Sequence, residues 1–418
     1  MSPSAHGKLA INGGTPVREG PFPPRRLFTA EEKAAAMEVF DEAIETGAAF
    51  GYAGPREQAF EKEFAELLGG GLAKAVNSGT SAVLSAVAAL ELEPGSEVIV
   101  PPITDPGGIM PVAMMNCIPV PADGNGLSFN TGPEQVAAAL TDRTRAIIVA
   151  HIMGEPADMA PLMALARERN LPVIEDCAQA HGATYRGRLV GNFGDIAVFS
   201  TMSGKHLATG AQGGVVFTRD EELFWKARRF MDRGKPYGLE AAGNVRLGLN
   251  LNSNDLATAI GRVQLRRLPW VVRRRQELVA QIGEVLAELP GVDLPQLVGQ
   301  AEASYWFLRL RTRSERLSVD KEIFGEALQA EGVPVAVWYG HIPCEHPWFR
   351  HRRTYGRSGY PWPRELADDE APADPDLPNA RAAIGSDFLI SVHENWSDRE
   401  LADTAAALRK VHEAYAAP

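Results

Sequence analysis

Cysteine is scarce in this chain: Cys117, Cys177 and Cys344 are the only three in 418 residues, widely spaced and in no paired motif. That excludes a disulfide framework and offers no zinc spacing, so a reducing, cytoplasmic setting and no metal are expected. Long apolar runs are also missing. No segment approaches the ~20 apolar residues that cross a bilayer, and residues 1–14 hold no apolar core of signal-peptide length. Basic charge is in deficit, with 42 Lys and Arg against 53 Asp and Glu for a formal net charge of −11. Nucleic acid and anionic membranes attract cationic surfaces, so neither is expected as a partner, although a local basic pocket for a phosphate stays open. No internal repeat is visible. The one biased segment is an acidic, Pro-rich stretch at 361–378, read as a solvated connection.

What is present is a globular composition, 45% hydrophobic and 23% charged, at a length sufficient for two lobes. Thr29 to Glu32 has the spacing of a capping box and opens a helix to about Thr46. After a glycine-rich turn, Pro55 starts a second helix with Phe60, Phe64, Leu67 and Leu68 on one face, stopped by three glycines. From there strands and helices alternate. Seven strand candidates, 73–76, 97–101, 118–122, 146–152, 173–176, 196–200 and 214–217, are separated mostly by helices such as 81–90, 133–140 and 160–170. This pattern predicts an α/β fold: a mostly parallel seven-stranded sheet with helices on both faces. A helix over 220–232 and a Gly/Pro segment follow. A long helical stretch then begins at Ser253-Asn254-Asp255, is expected to break near Pro269, and runs to about Leu289. Beyond it, strand 305–311, helix 321–331, strands 333–338 and 388–393 and a last helix capped from Ser397 read as a smaller α+β domain. The expected division is 1–262 for the large domain with its N-terminal arm and 263–418 for the small one.

Chemistry concentrates at two strand ends. The run Val173-Ile174-Glu175-Asp176 ends in an acid, and a few residues beyond Phe199-Ser200 stands a lone lysine, Lys205. In doubly wound sheets, ligands sit beyond the carboxyl ends of the strands. Pyridoxal phosphate needs an amine to hold its aldehyde as a Schiff base and a carboxylate to keep its pyridine nitrogen protonated, and Lys205 and Asp176 would supply them. Strands also end in Asp or Lys merely where the chain meets water, so the pair alone does not decide. Asn77-Ser78-Gly79-Thr80 lies between a strand and an Ala-rich helix, where free backbone N–H groups and the Thr80 hydroxyl suit a phosphate; a plain N-cap turn has the same form. Ser200 could add a second hydroxyl, and Gln179, three residues past Asp176, could turn its amide toward the cofactor's phenolic oxygen. His181 supports the site or simply packs.

Together, Ser78-Gly79-Thr80, Glu175 through Gly182, Phe199-Ser200 through Lys205 to Gly213-Gly214, and Gly248-Leu249-Asn250 followed by Ser253-Asn254-Asp255-Leu256 resemble the DegT/DnrJ/EryC1/StrS family of sugar and cyclitol aminotransferases. The resemblance runs from Asn12-Gly13-Gly14 to Val392-His393-Glu394. It implies a fold-type I pyridoxal phosphate enzyme, a homodimer with shared active sites, taking an amino group from glutamate or glutamine to a keto-sugar or keto-cyclitol. By the same matching, Lys205 is the Schiff-base lysine, Asp176 the pyridine partner, Gln179 a ring-side contact, and Gly79, Thr80 and Ser200 the phosphate cup. Asn250 would reach the phosphate of the neighbouring subunit.

Three positions depart from the pattern. Asp105 stands where members place an aromatic residue that stacks on the cofactor; before Pro106 it also has the form of an N-cap. The segment from Lys205 to Gly213 is one residue longer than usual, so counting back from the glycines puts His206 at the lysine's place, whereas counting forward from Phe199-Ser200 restores Lys205. Asn252 stands where arginine is common. Tyr52, His206, Trp338, Tyr339, His341 and His346 are candidate substrate contacts, with lobe packing the alternative for the aromatic cluster. Two other readings remain beside the aminotransferase: an altered pyridoxal phosphate chemistry (dehydratase, epimerase or oxidase), motivated by Asp105 and His206, and a non-catalytic cofactor-binding sensor.

Overall fold

The computed structural model describes residues 8–339, 342–362 and 375–417. An N-terminal arm leads into α1 (Ala30–Thr46), whose capping box closes as expected, with the Thr29 amide donating to the Glu32 carboxylate at 2.6 Å. Next come α2 (Pro55–Leu67), β1 (Leu72–Val76) and α3 (Gly79–Ala89). Every residue of α3 from Ser81 onward is buried, as a helix apolar all round must be. Alternation continues through β2 (Glu97–Val100), α4 (Met110–Met114), β3 (Ile118–Pro121), α5 (Pro133–Ala139), β4 (Thr144–Ala150), α6 (Met159–Glu168) and β5 (Val173–Asp176). A small hairpin, β6 (Thr184–Tyr185) and β7 (Arg188–Leu189), precedes β8 (Ile196–Ser200), β9 (Gly214–Thr218) and α7 (Glu221–Phe230).

The main sheet has the order β1-β9-β8-β5-β4-β2-β3. All its pairings are parallel except the two made by β9, which runs against β1 and β8. Seven apolar runs became seven strands because most of their residues are buried, leaving a near-continuous hydrophobic signal. The carboxyl ends of β1, β2, β4, β5 and β8 therefore share one edge.

Helix α8 (Asp255–Leu286) is continuous through Pro269, where an interruption was expected. Proline removes one backbone hydrogen bond and costs roughly 3 kcal/mol in a helix interior, but Leu265, Leu268, Val271 and Val272 around it are buried, and that packing outweighs the missing bond. The first half of α8 packs with Phe60 and Phe64 of α2. Its second half, through Leu278, Val279, Ile282 and Leu286, enters another core. That core belongs to a four-stranded antiparallel sheet.

This second sheet uses β10 (Val292–Asp293), β12 (Leu308–Thr312), β13 (Val335–Ala336) and β14 (Asp387–Ile390), in the order β10-β12-β14-β13, while β11 (Ala301–Glu302) joins the β6–β7 hairpin. Helices α9 (Lys321–Ala330) and α12 (Asp398–Tyr415) cover it, and α10 (Pro347–Arg350) and α11 (Pro378–Ser386) lie in the connections. Three strands are shorter than expected, β14 ending at Ile390 rather than His393. Tyr305 sits at φ +52°, so β12 starts only at Leu308, and β13 follows a proline that cannot donate to a ladder. Most of the acidic stretch, 363–374, lies outside the described residues, and its last residue, Pro378, opens α11.

Candidate active site

The shared edge of the main sheet opens on a cavity of about 310 Å³, a size that suits a small organic cofactor. Lys205 and Asp176 both line it and are 6% and 5% exposed. Ser78, Gly79 and Thr80 from the start of α3, Asp105 after β2, Gln179 after β5 and Ser200 at the end of β8 line it as well. Eight expected residues, spread from position 78 to position 205, thus meet in one place.

Local geometry explains the convergence. Ser78 is the N-cap of α3, its hydroxyl accepting from the Ser81 amide at 3.1 Å, so the helix N-terminus points into the cavity. A Cβ on Gly79 would lie 2.8 Å from the Ser200 Cβ. Only glycine lets the helix start press against the end of β8. A Cβ on Gly107 would lie 2.3 Å from the Thr80 hydroxyl, so that glycine admits the turn after β2. Asp105 acts as a cap: its carboxylate accepts from the Gly107 amide at 2.8 Å while still bordering the cavity.

Electrostatics separate the two principal groups. Burial pushes the Lys205 amine down to about 8, against the upward pull of Asp176 and Asp105. Burial raises Asp176 from the ordinary carboxylate value, opposed by the Ala178 amide, 3.0 Å from Oδ1, and by Lys205 and His151. The neighbouring Glu175 moves the other way. Burial would raise it too, but His151 at 3.0 Å and the amides of Gly191, Phe193 and Gly194 outweigh that. His151, Glu175 and Cys177 place ligand-type atoms within 4.8 Å of one another, yet both Glu175 oxygens already accept these donors.

His206 does not border the cavity. It is 1% exposed, with Nε2 on the Ser304 carbonyl at 3.0 Å, and burial holds it well below the ordinary imidazole range. Its ring lies 5.7 Å from that of His181, which burial pushes down to about 3 and which packs on Phe199. Of the two registers weighed above, the preferred one, counted from Phe199-Ser200, brings its residue, Lys205, to the cavity. The Tyr339 hydroxyl accepts from Gln179 Nε2 at 3.2 Å, and its ring stacks on Phe129. Tyr52 lies away from the cavity, its hydroxyl accepting from Lys235 at 2.7 Å. Asn250 is exposed outside it, taking a hydrogen bond from Asn252 at 2.9 Å. His346 precedes α10, away from the cavity, and Trp338 is 69% exposed. His341 lies outside the described residues.

The sequence reading overlooked three things. His151 borders the cavity from the end of β4, and its place just after an apolar strand run was a usable signal. Trp306 forms the opposite wall, with Lys205 Nζ 3.4 Å from its ring centroid. Arg25, in the arm, donates to the Lys205 carbonyl at 2.6 Å; no sequence spacing announces that contact. The residue set fits pyridoxal phosphate. It combines a buried amine, a buried carboxylate, and a helix N-terminus beside two hydroxyls kept clear by glycine.

Comparison with known proteins agrees with this assembly. The model of the DegT/DnrJ/EryC1/StrS aminotransferase family matches residues 30–372. The spore coat polysaccharide biosynthesis protein SpsC of Bacillus subtilis is 30% identical over 380 residues, covering 86% of this chain and 90% of that protein. An L-glutamine:2-deoxy-scyllo-inosose aminotransferase of Micromonospora echinospora is 32% identical over 357 residues, 81% of this chain and 83% of its own. Among solved structures, an aminotransferase from Psychrobacter cryohalolentis superposes with a TM-score of 0.82 at 30% identity, covering 94% of this chain and 99% of that one.

Proposed function

Because this chain belongs to the DegT/DnrJ/EryC1/StrS aminotransferase family, and is a fold-type I, pyridoxal phosphate-dependent aminotransferase, we propose that it carries an amino group from glutamate or glutamine to a keto-sugar or keto-cyclitol. The observation that carries this reading is the pairing of buried Lys205 with buried Asp176 in one cavity beside the N-terminus of α3. The relatives' names, one for a glutamine-dependent cyclitol aminotransferase and one for polysaccharide biosynthesis, support the donor and the acceptor class. The nature of the relatives also supports work in secondary-metabolite or cell-surface sugar synthesis.

When bound, pyridoxal phosphate supplies an electron sink for the carbon that gains or loses nitrogen. The chain's own residues do the rest. Lys205 would hold the cofactor through Nζ and would serve as the group that takes and returns the proton at the reacting carbon; an amine near 8 is suited to both directions near neutral pH. Asp176 would keep the proton on the pyridine nitrogen. The α3 N-terminus, Thr80 and Ser200 would hold the phosphate, and Gln179 would lie at the ring side. His206 is buried away from the cavity, which weighs against the histidine motive for an altered chemistry, whereas Asp105 is engaged as a helix cap and still borders the cavity.

The protein acts as a cytoplasmic homodimer in this reading, with Asn250, exposed outside its own cavity, serving the neighbouring subunit's phosphate. The test is an absorbance titration of the loaded protein. Glutamate or glutamine is expected to replace the visible band of lysine-bound cofactor with the near-ultraviolet band of its amine form, and a keto-sugar or keto-cyclitol to reverse the change. A band that ignores both donors would overturn the transamination reading.

A further inference from the structure

Behind the cavity lies a largely buried charged triad, none of whose members is among the lining residues. Glu394, 4% exposed and just beyond β14, accepts on one oxygen from Arg25 Nε at 2.9 Å and on the other from Arg275 Nε at 3.0 Å and Nη2 at 2.8 Å. Each arginine then spends its remaining donors on two consecutive carbonyls. Arg25 donates to the carbonyls of Lys205 at 2.6 Å and His206 at 2.9 Å. Arg275, 2% exposed on α8, donates to those of Tyr305 at 2.8 Å and Trp306 at 3.2 Å.

The two carbonyl pairs belong to the two loops whose side chains meet in the cavity, Lys205 and Trp306, with Nζ 3.4 Å from the ring centroid. The Trp306 indole N–H closes the circuit on the Gly204 carbonyl at 2.7 Å. Neither loop segment is part of a strand, since β8 ends at Ser200 and β12 starts at Leu308. No sheet register therefore sets the distance between them. A buried ion triad is a poor device for stability alone, because apolar packing of the same volume usually does as well. Its fixed fork geometry is a good device for holding backbone carbonyls in register.

We propose that Arg25, Glu394 and Arg275 are positioning residues that hold the Lys205 loop against the Trp306 loop and so set where the lysine amine stands in the cavity. The inference rests on the reading of Lys205 as the cofactor's amine. It joins three distant parts of the chain, the N-terminal arm, α8 and the segment after β14, to a single side chain. Groups facing Lys205 from the elements around it are Asp176 at the end of β5, Asp105 after β2, His181 and the Trp306 ring; the triad's side chains contact only backbone carbonyls of these loops.

The experiment uses the full chain freed of cofactor. Acetic anhydride labelling of Lys205 is followed against pH by peptide mass spectrometry, with exposed Lys62 as the reference. In Arg25→Ala and Glu394→Gln, the Lys205 amine gains water, and its labelling midpoint is expected to rise by about one pH unit or more, with Arg25→Lys in between. In the loaded protein, the same variants are expected to slow the half-reaction with the amino donor by about 10- to 100-fold. If Arg25→Ala does not fold, Glu394→Gln and Arg25→Lys carry the test. A midpoint and a rate unchanged from the parent in the folded variants would overturn the positioning role and leave only a docked arm. A loaded Lys205→Ala protein that keeps the visible band would instead overturn the reading of Lys205, so the two failures are distinguishable.

Discussion

Lys205 occupies a place that destabilises the folded chain on its own. Its amine loses a proton near 8 when folded, against 10.5 ordinarily, so between those values the unfolded chain binds more protons and stability rises with pH. Below about pH 8 the full penalty is present, about 3 kcal/mol at roughly 1.4 kcal/mol per pH unit. Lys205→Met in the cofactor-free protein is therefore expected to raise the unfolding free energy at pH 7 by about 1–3 kcal/mol, the lower end reflecting the contact that Asp176 loses. The gain is expected to fade as pH rises from 8 toward 10.5. Urea denaturation at several pH values checks this, and a variant less stable than its parent at pH 7 would contradict it. The same burial that makes this lysine costly makes its amine usable near neutrality.

At the scale of elements, local signals were read well and tertiary ones were not. The capping boxes at Thr29 and Ser397 involve residues three positions apart, and both close. Pro269 was expected to break α8 because propensity is local, whereas the packing that keeps the helix whole is not. The two-residue strands β6, β7, β10 and β11 are too short for any periodicity to register. Helix α1 shows a further feature. It buries Glu32 and Val39 on one side, yet Met37, Phe40 and Ile44, at helical spacing on another, are 48%, 43% and 78% exposed. Such an apolar stripe on a surface helix calls for a covering partner, and a second copy of the chain fits the proposed dimer. Phe40→Glu with Ile44→Glu is expected to turn a dimer of 45.1 kDa chains into monomers and to weaken cofactor retention about tenfold or more. Sedimentation checks it. A parent protein that is already monomeric and active would contradict the dimer and, with it, the cross-subunit part given to Asn250.

Over the whole molecule, the main sheet was legible because its strands are apolar runs with chemistry only at their ends. Asp176, Lys205, Ser200 and the Ser78-Gly79-Thr80 turn could be assembled from that one regularity, since the carboxyl edge gathers whatever follows each strand. His151 obeys the same rule and was overlooked only because its run was taken to continue through Ile152. Trp306, Arg25, Arg275 and Glu394 obey no such rule. They come from the arm, the long helix and the second lobe, and their meeting depends on how the two sheets stand around α8, which no local spacing encodes.

The claim on which the rest depends is that Lys205 is the amine that holds the cofactor. Loading the purified protein with pyridoxal phosphate, reducing it with borohydride and mapping the modified peptide by mass spectrometry tests it most directly. The account predicts the added mass on Lys205 alone, in the peptide that begins after Arg188. Added mass on another lysine, or a protein that takes up cofactor without reducible attachment, would contradict it.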